Sequence, residues 1–184
     1  MNFNVTSTDL ERVLLIERKK FNDDRGYFVE FFRNDFFQKE FKGKEFVQDN
    51  LSFSRKGVIR GLHFQKEPFS QGKLVSVIKG RIMDVAVNME RNSNQFGKYV
   101  MVELSEENSN SLFIPSTFAH GFVALDDSYV LYKTTNFYNK DSECGVRFDD
   151  PDIDVKWSVS DPIVSMKDRE LLSLKEIVER GDTF

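Results

Sequence analysis

The chain contains two histidines, and each lies in a short segment that also contains glycine. His63 ends the run Gly57-Val-Ile-Arg-Gly-Leu-His and is followed by Phe-Gln65, whereas His120 precedes Gly121 in the segment that begins at Ile114. An imidazole has an ordinary pKa near neutrality, so it is well suited to accept and return protons at physiological pH. These segments therefore predict a site of proton chemistry.

The same two segments resemble the motifs G-x5-H-x-H followed by a glutamate, and P-x-G-x2-H, of cupin barrels. Here Gln65 replaces the second histidine of the first motif, and Phe69 and Ser70 stand where the glutamate is expected. A catalytic metal usually takes three protein ligands. One imidazole per motif is too few, so the sequence predicts a barrel pocket without a metal and disfavours a metal-dependent cupin oxygenase.

Composition limits the class of protein. With 184 residues, 40% hydrophobic and 30% charged, the chain is expected to form one globular domain spanning residues 1–184. A net charge of −4 gives no support for nucleic acid as the main partner. The single Cys144 excludes an intramolecular disulfide framework and suits a reducing compartment. No apolar run approaches the ~20 residues of a membrane span, so we expect a cytoplasmic protein that does not associate with membranes.

Strand signals recur along the chain, and helix signals are scarce. Many short β segments separated by glycine-containing turns are typical of a β-sandwich or barrel. We predict strands at Val13–Ile16, Tyr27–Phe32, Phe46–Ser54, Val58–Gln65, Lys73–Ile78, Arg81–Asn88, Lys98–Leu104, Ser111–Ile114, His120–Ala124 and Tyr129–Asn136.

Two helices are also predicted. Asn34 is expected to cap a short helix that runs to Phe41. Ser173-Leu-Lys-Glu176 has the pattern of a capping box, and apolar residues at helical spacing follow it before Gly181. We expect this C-terminal helix to pack on the barrel rather than to take part in catalysis.

Several segments together resemble the dTDP-4-dehydrorhamnose 3,5-epimerase family. They lie in the same order over nearly the whole chain, at Asp24–Gly26, Gln48–Ser54, Arg60–Gln65, Gln71–Gly80, Phe113–Phe122, Leu131–Lys133 and Ser165–Asp168. The resemblance implies an all-β, cupin-like jelly-roll barrel with short peripheral helices, including one at the C-terminus. It also implies an enzyme without metal or other cofactor, and a homodimer with an exchanged N-terminal strand.

The reaction implied by the resemblance inverts C3 and C5 of a nucleotide-linked 4-keto-6-deoxyhexose. It converts dTDP-4-dehydro-6-deoxy-D-glucose to dTDP-4-dehydro-L-rhamnose. The C4 ketone acidifies the hydrogens on both neighbouring carbons, because the carbanion is delocalised onto oxygen as an enolate. Inversion then requires a base on one face of the ring, an acid on the other, and a cation or donor at the enolate oxygen.

The resemblance also implies a role for each catalytic residue. His63 is the base, and Asp168 orients and charges its imidazole. Tyr132 returns a proton from the opposite face, although Tyr129 and Tyr138 lie near the same strand and compete for this role. Lys73 stabilises the charge on the C4 oxygen. Asp168 has an alternative role as the capping carboxylate of the turn after Ser165.

Further residues are implied in substrate binding. Arg25 and Arg60 are expected to hold the diphosphate, because a guanidinium offers several donors in a fixed geometry. Arg25 is expected to reach the pocket of a neighbouring subunit. His120 has two open interpretations, a contact to sugar or phosphate and a hydrogen bond within the barrel. Around the base and sugar, the resemblance implies Phe28, Glu30, Gln48, Asn50 and Tyr138.

The chain also departs from the family pattern. Asn88 replaces an expected aspartate, and Pro115-Ser-Thr-Phe118 stands where a glycine is more usual. These departures leave open a 3- or 5-epimerase of a related nucleotide 4-keto sugar. A non-catalytic sugar-nucleotide-binding cupin is a further alternative. It predicts a pocket that lacks one of the acid–base residues, and none is missing here.

Overall fold

The computed structural model describes residues 2–41 and 43–184. Within these ranges the chain forms fourteen β-strands, three short α-helices and a 3₁₀ turn at Lys140–Ser142. The helices are α1 (Asn34–Glu40), α2 (Met166–Arg169) and α3 (Leu174–Arg180). The strands are β1 (Phe3–Ser7), β2 (Leu14–Arg18), β3 (Lys20–Asp23), β4 (Gly26–Val29), β5 (Gln48–Ser54), β6 (Val58–Gln65), β7 (Lys73–Lys79), β8 (Arg81–Asn88), β9 (Tyr99–Ser105), β10 (Ser111–Ile114), β11 (Phe118–Ala124), β12 (Ser128–Thr134), β13 (Glu143–Gly145) and β14 (Ile163–Val164).

Two sheets face each other across the main core. The first has the strand order β1-β2-β10-β7-β12-β5, and the second has the order β13-β6-β11-β8-β9, with β14 parallel to β6. Side chains alternate between the faces of a strand, and the inward set includes Val75 and Val77 of β7 with Ile82 and Ala86 of β8. This architecture confirms the predicted all-β, cupin-like jelly-roll barrel with short peripheral helices.

The outer faces of both sheets are covered by helices. Leu174 and Ile177 of α3 pack in one cluster with Leu62 and Val87 from the second sheet, so the C-terminal helix lies on the barrel as expected. On the first sheet, Phe41 after α1 stacks on Phe113 with ring centroids 3.9 Å apart. Within residues 2–41 and 43–184, the helices are too short or too polar to span a bilayer.

Of the two predicted N-terminal helix caps, one is confirmed by the structure and one is wrong. The capping box before α3 is confirmed, because the side chains of Ser173 and Glu176 each accept from the other's backbone N–H. The predicted Asn34 cap is wrong, since Arg33 is the N-cap residue and provides no side-chain hydrogen bond. The Asp35 carboxylate accepts from the backbone N–H of Phe36 at 2.9 Å instead, and so supplies negative charge to the first turn.

Short strands at sheet edges account for most of the differences from the prediction. β1 was not predicted, although it pairs with β2 through Val5 opposite Ile16. The two- and three-residue strands β14 and β13 are too short to show alternation. The predicted strand Tyr27–Phe32 ends earlier, at Val29, and forms a separate hairpin with β3.

A glycine crossing sets the pairing of the strands that carry the histidines. His63 of β6 lies directly opposite His120 of β11, and the register then shifts before Phe122. Gly61 has φ +119°, and a Cβ on it would lie 2.5 Å from the Cα of Gly121. Only glycine allows the two backbones to come this close, which explains Gly61 two residues before His63 and Gly121 directly after His120.

Candidate active site

A cavity of about 340 Å³ opens between the two sheets and contains most of the residues singled out in the sequence. Lys73 and Tyr132 line it from the first sheet. The second sheet contributes Arg60 and His63 of β6 and His120 of β11, and Asp168 reaches the cavity from α2. The structure thus brings together side chains that are up to 108 positions apart in the chain, counted from Arg60 to Asp168.

His63 and Asp168 form a carboxylate–imidazole pair. Nε2 of His63 lies 2.7 Å from Oδ1 of Asp168 and donates to it, because an ionised carboxylate can only accept. Burial alone would raise the pKa of Asp168, but the hydrogen bond and charge of His63 outweigh burial and lower this pKa. Asp168 is therefore ionised at neutral pH. In the neutral tautomer that donates from Nε2 to Asp168, the lone pair of His63 is on Nδ1.

The first turn of α2 holds this carboxylate in place. The Ser165 hydroxyl accepts from the backbone N–H of Asp168 at 3.1 Å, so Ser165 is the capping residue. The second oxygen of Asp168 accepts from the backbone N–H of Gly61 at 3.4 Å. The capping role considered for the Asp168 side chain is therefore wrong in this structure, where that side chain bonds to His63.

Lys73 is a buried cation on the inner face of β7. Its side chain donates from Nζ to the backbone carbonyl of His63 at 3.0 Å. Burial lowers the pKa of Lys73 from 10.5 to about 8, and the nearby carboxylates of Asp84 and Glu143 oppose this effect. At neutral pH Lys73 is mostly protonated, so it can stabilise negative charge that develops in the pocket.

Tyr132 is the tyrosine that projects between the sheets. It lies opposite Val75 in the β12–β7 pairing and packs against the main core. Burial raises the pKa of Tyr132, although the charge of Arg60 opposes this rise. Its hydroxyl is therefore protonated at neutral pH, as an acid must be. Tyr138 also lines the cavity, but its side chain is 54% exposed and donates to Glu143 at 3.0 Å.

Polar residues at the mouth of the cavity form a second group. Arg60 donates to Ser54 Oγ at 2.9 Å and to the Phe53 carbonyl at 3.0 Å, which joins β6 to β5. Glu143 accepts from Lys167 at 2.6 Å. Burial would raise the pKa of Glu143, but the hydrogen bonds from Lys167 and Tyr138 outweigh it and lower this pKa.

The sequence prediction missed Glu143 and Lys167 as pocket residues. Lys167 has one signal, its position next to Asp168 in the segment that resembles the family. Glu143 has none, because it is brought to the cavity by β13, a strand of three residues.

His120 forms a second imidazole–carboxylate pair with Asp84. Nε2 of His120 lies 2.7 Å from Oδ1 of Asp84, and Asp84 is fully buried behind it. Burial lowers the pKa of His120 and outweighs the opposing charge of Asp84, so the imidazole is neutral at pH 7. His120 thus bonds within the barrel and also lines the cavity. A lone carboxylate in the apolar strand Ile82–Val87 was the signal for Asp84.

The donor set does not fit the metal centre of a cupin. His63 and His120 each have one ring nitrogen bonded to an aspartate. Gln65, at the position of the second motif histidine, donates to the carbonyls of Phe69 at 2.6 Å and Phe137 at 3.2 Å. It therefore fastens the loop after β12 to β6. In the part of the chain that the structure describes, no three His, Cys, Asp or Glu side chains converge on a metal position.

The remaining binding candidates lie outside this cavity. Arg25 is at the tip of the β3–β4 hairpin and pairs with Asp23 at 2.6 Å, and Phe28 on β4 is 67% exposed. Glu30 accepts from Asn2 at 2.9 Å. The structure does not bring these hairpin residues into the pocket of their own chain, and their contribution to a neighbouring subunit stays a prediction.

Gln48 and Asn50 are close to the cavity without lining it. Their side chains bond to each other at 2.8 Å, and Gln48 accepts from the backbone N–H of Tyr138 at 3.0 Å. Both lie on β5, the edge strand of the first sheet. Their position beside Tyr138 is compatible with contacts to a ligand that extends out of the cavity.

The fold is a jelly-roll barrel, and its cavity has the His63–Asp168 pair as a base on one side and the protonated Tyr132 as an acid on the other. This combination is typical of a cupin-like epimerase, which is an acid–base isomerase. Comparison with known proteins identifies the family. The family model for dTDP-4-dehydrorhamnose 3,5-epimerase matches residues 7–176 of the chain. The chain belongs to the dTDP-4-dehydrorhamnose 3,5-epimerase family.

Individual relatives agree with this assignment. The dTDP-4-dehydrorhamnose 3,5-epimerase of Shigella flexneri is 48% identical over 167 residues, which cover 90% of this chain and 92% of the relative. The enzyme of the same name from Methanothermobacter thermautotrophicus is 46% identical, covering 95% and 96%. A solved dTDP-6-deoxy-D-glucose 3,5-epimerase from Legionella pneumophila, in complex with dTDP-4-keto-L-rhamnose, has a TM-score of 0.91 at 39% identity, covering 95% and 94%.

Proposed function

We propose that this chain inverts C3 and C5 of dTDP-4-dehydro-6-deoxy-D-glucose to form dTDP-4-dehydro-L-rhamnose, without a cofactor. Family membership and the names of its relatives support the reaction. The observation that carries the proposal is the position of the His63–Asp168 pair and Tyr132 on opposite sides of one cavity that buried Lys73 also lines. A base, an acid and a cation are the groups that inversion beside a ketone requires.

In the first step, Nδ1 of His63 removes the proton from a carbon next to the C4 ketone. The electron pair of the broken C–H bond moves onto the C4 oxygen and leaves an enolate. Ionised Asp168 stabilises the imidazolium that forms, because its carboxylate already holds Nε2 at 2.7 Å. The ammonium of Lys73 stabilises the enolate oxygen.

In the second step, the enolate collapses to the ketone and its carbon takes a proton from the Tyr132 hydroxyl on the opposite face. This inverts the carbon. The imidazolium and the tyrosinate return to their starting states by proton exchange with water. Because C3 and C5 both neighbour C4, the same residues act at either carbon once the ring has shifted in the pocket.

We assign the rest of the substrate to the mouth of the cavity. Arg60 contacts the diphosphate, and Tyr138 stacks on the base beside Gln48 and Asn50. The active species is a cytoplasmic homodimer in which Arg25, with Phe28 and Glu30, reaches the pocket of the second subunit. The exposed aromatic side chains of the hairpin support this arrangement, since a second copy would cover them.

Proton NMR of dTDP-4-dehydro-6-deoxy-D-glucose incubated with the protein in heavy water tests this function. We expect deuterium at both C3 and C5, together with the signals of dTDP-4-dehydro-L-rhamnose. Deuterium at one carbon only would indicate a 3- or 5-epimerase. An unchanged substrate that binds without exchange would indicate a non-catalytic sugar-nucleotide-binding cupin.

A further inference from the structure

We propose that Asp84 is the counter-charge that keeps Lys73 protonated inside the barrel, and that it is thereby a positioning residue for the reaction. Its catalytic consequence rests on the function proposed above, whereas the charge interaction between Asp84 and Lys73 is a property of the folded protein alone. Asp84 does not line the cavity, so it acts on the substrate through Lys73 and not by contact.

Strand alternation places both side chains in the same interior space. Lys73 shares the inner face of β7 with Val75 and Val77, and Asp84 lies between Ile82 and Ala86 on the inner face of β8. These four apolar residues pack in one core cluster between the sheets. The carboxylate and the ammonium therefore point into the same core from facing sheets.

Each of the two groups has unused hydrogen-bonding capacity. Oδ1 of Asp84 accepts from His120, while Oδ2 is buried without a hydrogen-bond partner among the described residues. Lys73 is 7% exposed, and its three-proton ammonium donates to the carbonyl of His63. Burying a charge is costly unless it is paired. Among the described residues no direct ion pair or hydrogen bond joins Lys73 to Asp84, so the two interact as charges across the core. Burial raises the pKa of Asp84, and the charge of Lys73 is among the effects that oppose this rise.

The other charged groups that face this space contribute less of the counter-charge than Asp84 does, and Glu143 is the next largest contributor. Asp168 is bonded to His63, and Glu143 is bonded to Lys167 and Tyr138. The remaining neighbours cannot supply negative charge at neutral pH, because Arg60 of β6 is a cation, His120 of β11 has a lowered pKa, and Tyr132 of β12 has a raised pKa.

Burial and charge give the consequence of losing Asp84. Burial lowers the pKa of Lys73 to about 8, and Asp84 is the largest of the effects that oppose it. Without Asp84, burial would act with less opposition and the pKa of Lys73 would fall further below its ordinary value. A neutral amine has no charge with which to stabilise an enolate. Turnover near pH 7 would therefore decrease even though Lys73 is still present.

The test is the titration of Lys73 in the intact protein. Acylation by acetic anhydride, measured across pH at the Lys73 peptide by mass spectrometry, reports the fraction of neutral amine. We expect a midpoint of about 8 in the wild type, and one lower by about one pH unit or more in Asp84→Asn. The matched control Asp168→Asn removes the other paired aspartate and should lose turnover while it keeps the wild-type midpoint. An unchanged midpoint in folded Asp84→Asn would overturn the proposal.

This readout separates the two proposals, because acylation needs no turnover. A lowered midpoint in Asp84→Asn, together with a wild type that has no epimerase activity, would uphold the charge interaction and refute the proposed function. If Asp84→Asn does not fold, Lys73→Met and the double variant Lys73→Met/Asp84→Asn replace it. We expect the double variant to unfold at the higher temperature, since Lys73→Met alone leaves a buried carboxylate without its counter-charge. A double variant no more stable than Lys73→Met would contradict the pair.

Discussion

At the scale of single residues, the proposed mechanism separates the chemistry from nucleotide binding. His63 and Asp168 form the carboxylate–imidazole pair that removes the proton. Arg60 and Tyr138, at the mouth of the cavity, are assigned to the nucleotide. We expect His63→Ala and Asp168→Asn to lower kcat by about 10²–10⁴-fold while the affinity for dTDP stays nearly unchanged. Steady-state kinetics and titration calorimetry with dTDP measure the two effects.

A control for this prediction lies on the outer face of the first sheet. Asp49 pairs with Lys133 at 2.9 Å and its side chain is 57% exposed, so Asp49→Asn makes the same chemical change away from the cavity. It should keep wild-type turnover. Near-normal turnover in His63→Ala would end the mechanism as written.

The pKa of Lys73 predicts the alkaline limit of activity. Burial lowers this pKa to about 8, and the protonated form is the one that stabilises the enolate. We therefore expect kcat/KM to fall as the pH rises through about 8. Asp168 sets no limit in the neutral range, because its pKa is lowered below the ordinary 3.8. The measurement is a pH profile of kcat/KM.

Lys73→Arg provides the control for this limit. A guanidinium stays protonated throughout the accessible range, so whatever activity the variant retains should lack the decline near pH 8. A wild-type profile that stays flat to about pH 10 would show that the charge on Lys73 is not required.

Sequence reasoning at this scale found residues with distinctive neighbours and missed their partners. His63, Lys73, Tyr132 and Asp168 all line the predicted pocket. Asp84 was not connected with His120, because the two meet only after β8 and β11 pair. Such contacts depend on which strands become neighbours and in which register they pair, and the pattern within a single strand does not show this.

At the scale of elements, the central strands were predictable and the edges were not. β6, β7, β8 and β10 follow the predicted ranges to within one residue. They are buried, and turn residues mark their ends. By contrast β1 is a half-exposed edge strand in which buried and exposed side chains alternate only weakly. Its first residue is buried, and the four that follow are exposed or half-buried.

The glycine crossing of β6 and β11 gives a testable prediction. Gly61→Ala places a Cβ 2.5 Å from the Gly121 Cα at φ +119°, so the strands must separate and His63 must move. We expect a loss of about 2–5 kcal/mol in the free energy of unfolding and a large loss of kcat. Urea unfolding and steady-state kinetics measure these effects.

Gly181→Ala is the matched control for that substitution. Gly181 also has a positive φ, +72°, but no atom lies within 4 Å of an added Cβ. It should cost about 1–2 kcal/mol of stability and leave kcat unchanged. Equal effects of the two substitutions would show that the close approach of Gly61 to Gly121 does not position the site.

At the scale of the whole molecule, two exposed apolar surfaces predict association. Tyr27 and Phe28 on the hairpin are 54% and 67% exposed, and Leu51 and Phe53 on the edge strand β5 are 63% and 45% exposed. A second copy related by two-fold symmetry would cover both. We expect a dimer by light scattering, with Arg25 of one subunit at the His63 pocket of the other.

Subunit mixing tests the shared pocket. A dimer of Arg25→Ala with His63→Ala contains one intact pocket and one with both defects if the sites are shared. An equal mixture should then recover about a quarter of wild-type activity, since half of the dimers are mixed and each has one working pocket. A monomer, or no recovery despite confirmed subunit exchange, would contradict the shared site.

The central claim is that the base and the acid stand on facing sheets of one barrel, and Tyr132→Phe in heavy water tests it most directly. His63 can still remove a proton and return deuterium to the same face, whereas nothing donates from the other face. The account predicts that NMR will show deuterium entering the substrate while inverted product forms at least about 10²-fold more slowly than in the wild type. Inverted product at the wild-type rate would contradict the account and make Tyr138 the next candidate for the acid.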